Sequence, residues 1–189
     1  MIKIKSPHEI DALRAAGEIT AATFQRLAEA IKPGVSTAEL DDIAARFIKK
    51  QHATCSFWMY NGYPAHICTS VNDQVVHGIP SPHIELKEGD IISIDIGACY
   101  KGYHGDSAKT FPVGKISPEA EKLIRVTRES FYEGLKMAHA GNRLFDISAA
   151  IQSHVEQNGF SVVRSLVGHG VGSELHEDPE VPNYGTPGH

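Results

Sequence analysis

Two aspartates fall in a segment patterned as a β-hairpin, and their placement poses a charge problem. Residues 91–97 read Ile-Ile-Ser-Ile-Asp-Ile-Gly, an alternation that puts Ile92, Ile94 and Ile96 on one strand face and Asp95 on the other. Residues 103–111 read as the returning strand, with the turn within residues 99–102. With the hairpin centred on Tyr100-Lys101, Asp95 and Asp106 stand directly opposite each other, at a Cβ separation of roughly 4.5–5.5 Å. Two carboxylates so placed repel and do not both stay ionised without a counter-charge. One or two divalent cations supply it, and carboxylate oxygens suit Mn²⁺, Fe²⁺ or Co²⁺. The plainer alternative is that one aspartate is solvated or caps a turn. The apolar run around Asp95 counts against it.

Three of the 11 histidines add to this picture. His169 lies in Gly168-His169-Gly170-Val171-Gly172, where flanking glycines let backbone and imidazole approach a ligand closely. His176 follows in Glu174-Leu175-His176-Glu177, and His77 ends a strand-like run, residues 74–77, before Gly78-Ile79-Pro80. Singly, each is an ordinary structural histidine. Beside an opposed aspartate pair they point to a metal-centred site. An irregular stretch rich in aromatics, residues 54–64, contains Asn61-Gly62.

The elements that must position these groups are legible from caps and periodicity. Ser6-Pro7-His8-Glu9 and Ser36-Thr37-Ala38-Glu39 are capping boxes. The helix after the first carries Ile10, Leu13, Phe24 and Leu27, and the helix after the second Leu40, Ile43, Ala44 and Phe47; Lys32-Pro33-Gly34 breaks between them. Strand-like segments follow at residues 67–71 and 74–77, about a turn at Asn72-Asp73. The helical pattern then recurs from Ser117-Pro118-Glu119, breaks at Ala140-Gly141, and resumes through Ile147, Ile151 and Val155 to Asn158-Gly159. A shift of 107 residues sets Phe24 on Phe131, Gly34 on Gly141 and Glu39 on Asp146. The expectation is a pseudo-twofold α+β domain over residues 1–189, an antiparallel sheet backed by helices.

Bulk properties narrow the class. The chain has 189 residues, 41% hydrophobic, with a net charge of −5, which gives no electrostatic case for nucleic acid. No apolar run is long enough to span a membrane. Cys55, Cys68 and Cys99 show no CxxC spacing and read as reduced thiols of a cytoplasmic protein.

The segments VVHGIP, DIISIDIGACYKGYHGDSAKTF and GHGVGSELHEDPEVPNYG, in this order and spacing, resemble the active-site segments of type I methionine aminopeptidases, and the similarity runs the length of the chain. The resemblance implies the pita-bread (creatinase/aminopeptidase) fold and the metal-dependent removal of initiator methionine from nascent proteins. It implies two divalent ions (Co²⁺, Mn²⁺, Fe²⁺ or Zn²⁺), with Asp95 bidentate to one, Asp106 bridging both and His169 on the second. His77 and His176 would contact the substrate amide and stabilise the tetrahedral intermediate. Phe57, Tyr60 and Tyr63 (in YNGYP) and Cys68 would form the methionine pocket. Two further glutamate ligands of the family would fall after residue 189. The chain is therefore expected to lack C-terminal strands, to bind metal weakly, and to associate through open sheet edges where the family is monomeric. Ribosome association would fit the family's task, although no basic patch argues for it. Proline-specific peptidases of the same fold match HGIP, GHGVG and YNGYP less well. The remaining alternative is a non-catalytic peptide- or protein-binding module on this fold.

Overall fold

The computed structural model describes residues 1–189, and the chain folds as two compact units. One comprises Lys3–Ser117 with Val171–His176; the other comprises Met1–Ile2, Pro118–Gly170 and Glu177–His189. No helix is long and apolar enough to cross a membrane.

The first unit begins with α1 (Pro7–Ala28) and α2 (Thr37–Lys50), both opened by the capping boxes expected from sequence. The N–H of Ser6 donates to Glu9 at 2.8 Å, and that of Ser36 to Glu39 at 2.8 Å, satisfying donors that a helix start otherwise leaves orphaned. A stripe of Ala12, Ala16, Thr20, Phe24 and Leu27 faces α1 inward onto the sheet. The sheet is built around β3 (Ile91–Tyr100). Along one edge runs β4 (Tyr103–Pro112); the other edge is shared by β1 (Thr54–Cys55) and β2 (Cys68–Val71), all antiparallel. Ile92, Ile94, Ile96 and Ala98 are fully buried on the helix side, with Phe24, Leu27, Leu40, Ala44 and Ile48. Each such isoleucine contributes about 1.5–3 kcal/mol of hydrophobic stabilisation.

The β3–β4 turn sits one residue later than the centring assumed from sequence. Lys101 and Gly102 occupy it at φ 51° and 81°, the two left-handed positions of a type I′ hairpin. The register is therefore Asp95 opposite Ala108 and Gly97 opposite Asp106. The aspartates keep a common face but are diagonal neighbours, not direct partners. The strand expected at residues 74–77 is also absent. β2 ends at Val71, Asn72 turns at φ 53°, and His77 itself lies at φ 58°. Only Gly78 returns to β2: Thr69 N–H donates to its carbonyl at 2.8 Å, and its own N–H donates to Ser70 Oγ at 3.1 Å. A side-chain hydroxyl thus stands where a strand ladder would need a carbonyl.

The second unit contains α3 (Pro118–Met137) packed on α4 (Leu144–Gln157), and a short antiparallel pair, β5 (Gly168–Gly170) with β6 (Glu177–Val181). The internal repeat is borne out in the second helix of each half: shifting α2 by 107 residues reproduces the bounds of α4. Glu39 and Asp146 each accept from the backbone N–H three residues before them. Burial does not follow the repeat. Phe24 is 5% exposed, whereas Phe131 is 59% exposed, with Tyr132 and Leu135 exposed beside it.

Candidate functional site

The aspartate pair is positioned by core packing on one side and by a close helix contact on the other. Burial of Ile94 and Ile96 turns Asp95 to the opposite face of β3. On β4, Gly105 touches α1 directly: a Cβ there would stand 2.7 Å from the backbone of Ala16 and Gly17. Thr20 Oγ1 donates to the Gly105 carbonyl at 3.3 Å, so the strand is held against the helix one residue before Asp106. The Asp95 carboxyl is pushed well above the usual carboxylate range, to about 8. Burial is the main cause; the Asp106 charge and a hydrogen bond between the two carboxyls follow, opposed by the Ile96 N–H. Such a hydrogen bond requires a proton held between the two groups. A divalent cation would fit the pair by displacing that proton.

Cys68 is the direct cross-strand partner of Asp95 and is buried. Burial, with the Asp95 and Asp106 charges adding to it, pushes its thiol up to about 11, opposed by the nearby Tyr63 hydroxyl. It is thus a neutral, soft wall beside the carboxyls. Phe57 closes over Gly97, the register partner of Asp106, where a Cβ would meet its Cε1 at 2.7 Å. Tyr63 directs its hydroxyl to the carbonyls of Ile67 and Gly78, both at 3.1 Å, tying the backbone beside His77 to the pocket. Its phenol is pushed upward, chiefly by burial. His77 is exposed on that loop. Tyr60 Oη lies 2.9 Å from His176 Nδ1, with the ring centroids 5.3 Å apart. The segment carrying His176 is anchored by buried Leu175 and by the His104 N–H, which donates to the Gly172 carbonyl at 2.9 Å.

Several positioning groups escaped the sequence reading. Asp41 on α2 accepts from the backbone N–H groups of His66 and Ile67 at 2.8 and 2.9 Å, and pairs with His66 Nδ1 at 2.8 Å. Trp58 stacks on His66 at 4.5 Å, nearly parallel. Together they fix the aromatic loop to α2. His104 bonds Ser56 Oγ at 2.8 Å through Nδ1. Strand alternation from Asp106 was the available signal for His104; nothing local marked Asp41 or Ser70.

His169 belongs to the second unit, on β5. Its Nδ1 donates to the Gly170 carbonyl at 2.9 Å, because a carbonyl can only accept. That assigns the ring proton to Nδ1 and the lone pair to Nε2, the form in which histidine ligates metals. The aspartates stand as a pair, and no set of three or more His, Cys, Asp or Glu groups is gathered in metal-holding geometry.

Comparison with known proteins bears on this arrangement. A methionine aminopeptidase of Clostridium acetobutylicum is 58% identical over 188 residues, all of this chain and 75% of the relative's length. Methionine aminopeptidase 1 of Bacillus subtilis is 59% identical over 187 residues, 99% of this chain and 75% of its own. The crystal structure of the Thermotoga maritima methionine aminopeptidase superposes with a TM-score of 0.98 at 45% identity, covering all of this chain and 76% of that one. The fold is the pita-bread fold expected from the sequence. The model of metallopeptidase family M24 matches residues 11–189, and the chain belongs to that family.

Proposed function

We propose that this chain removes methionine from the N-terminus of peptides and nascent proteins with the aid of two divalent cations. Asp95 and Asp106 would hold the cations, and His169 Nε2 has the lone pair that a further ligand would need. When bound, the metal ions (Mn²⁺, Co²⁺, Fe²⁺ or Zn²⁺) supply the activated water and polarise the scissile carbonyl. The rest is the work of the chain's own groups. Phe57, Tyr60, Tyr63 and Cys68 receive the methionine side chain: rings and a neutral thiol offer a polarizable, apolar wall suited to a thioether. His77 and His176 donate to the substrate amide as negative charge develops on it. Nascent chains as substrates put the work in the cytoplasm, near the ribosome.

The observation that carries the reading is the proton-sharing carboxyl pair on one face of the sheet, with a neutral thiol directly across from Asp95. Methionine release from a Met-Ala-Ser peptide is the test, with and without Mn²⁺ and beside an Asp106→Asn control. Metal-dependent release that the control abolishes supports the proposal. Release that survives Asp106→Asn, or no release at saturating metal, counts against it for this chain.

A further inference from the structure

Tyr60 stands in a turn that needs a reason. Met59 and Asn61, on either side of it, lie at φ 61° and 49°, left-handed conformations that residues with a Cβ adopt at a cost. The turn is closed by Met59 N–H to the Tyr63 carbonyl at 2.9 Å and Tyr60 N–H to the Phe57 carbonyl at 3.0 Å. Core burial does not explain this strain, since Tyr60 is 39% exposed. What the turn achieves is to bring Tyr60 Oη to 2.9 Å from His176 Nδ1, with the two rings in contact, across 116 residues of sequence.

The chemistry of that contact is directional. A neutral imidazole carries one N–H, and whichever nitrogen holds it, the other must accept. Phenol is a better donor than acceptor, while the imidazole lone pair is a strong acceptor. We infer that Tyr60 is a positioning residue: it donates to His176 Nδ1, which fixes the proton on Nε2 and fixes the direction in which the ring presents it. This rests on the proposed role of His176 as a donor to the substrate amide, because only the Nε2–H form can fill that role while Nδ1 is engaged. The strained turn, the tilted ring contact and the hydrogen bond then serve one end, a donor pre-aimed before the substrate arrives.

The test has one arm that needs no turnover. Histidine ¹⁵N NMR of the metal-free chain, with His176→Gln for assignment, is expected to show Nε2 protonated and Nδ1 hydrogen-bonded. In Tyr60→Phe the Nδ1 signal should move to its unbonded position. A protonated Nδ1 in the wild type, or a signal unmoved by Tyr60→Phe, overturns the inference. In the kinetic arm with Mn²⁺, Tyr60→Phe keeps the ring, so KM for Met-Ala-Ser should stay within about twofold while kcat falls about tenfold, less than for loss of a whole donor. Unchanged kcat overturns it, as does a loss confined to KM. If the wild type released no methionine, the proposed function would fail and the NMR arm would still decide the tautomer.

Discussion

Replacing Asp106 with Asn should stabilise the metal-free protein while destroying its response to metal. The Asp95 carboxyl lies at about 8 in the fold against an ordinary 3.8, so its folded-state pKa is raised. The stability this contributes is fully present below about pH 4 and is lost as pH rises through about 8. At 1.36 kcal/mol per unit, the whole shift corresponds to at most about 6 kcal/mol. Burial is its largest cause and the Asp106 charge the second, which leaves roughly 2 kcal/mol to the neighbouring carboxylate at a realistic protein dielectric. An asparagine removes that charge and offers an N–H₂ to Asp95. In chelator at pH 8.5, the Asp106→Asn variant should therefore melt about 4–8 °C above wild type, on the scale expected for a chain of this size. At pH 5 the two should differ little. Millimolar Mn²⁺ should raise the wild-type Tm and leave the variant unmoved, reversing the order. The assay is thermal unfolding followed by circular dichroism across pH 5–9. A variant that melts below wild type in chelator at pH 8.5 would refute the reasoning: the carboxyl pair would then be a structural hydrogen bond and not a repulsive pair awaiting a cation.

Other expectations follow from single contacts. Gly105→Ala places a Cβ 2.7 Å from the α1 backbone, so strand and helix must part; a loss of about 1–3 kcal/mol is expected in urea unfolding, with methionine release reduced because Asp106 shifts with its strand. Asp41→Asn weakens the charge-assisted contacts to His66 and Ile67 at a cost of about 1.5–3 kcal/mol. The single tryptophan, Trp58, stacked on His66, should report that loosening as a red-shifted fluorescence maximum. Cys68, with its thiol raised to about 11, should be alkylated by iodoacetamide at pH 8 about a hundredfold more slowly than a free cysteine; mass spectrometry finding Cys68 among the fastest sites would contradict its place in the wall.

What could be seen from sequence depended on how local the determining physics is. The caps at Ser6 and Ser36 are decided within three residues, and both formed as read. The face that carries Asp95 follows from strand alternation and was right, because four buried residues on β3 enforce it. The pairing was off by one turn position: Gly102 was the residue able to follow Lys101 in a type I′ turn, and its placement changed Asp106 from partner to diagonal neighbour. That shift has a chemical consequence. A diagonal pair reaches the same space from two levels of the sheet, and leaves Asp95 directly beside Cys68 and Asp106 directly beside Gly97, where Phe57 lies. Carboxyl pair and apolar wall therefore share one surface because of the register, not because of any motif. The strand wrongly expected at residues 74–77 and the unseen roles of Asp41, Ser70 and Ser56 have one cause. Each depends on a hydrogen bond between groups at least eight residues apart, and residue type alone does not announce its partner. His176 is the extreme case: its motif was legible, but the phenol that aims it lies 116 residues away.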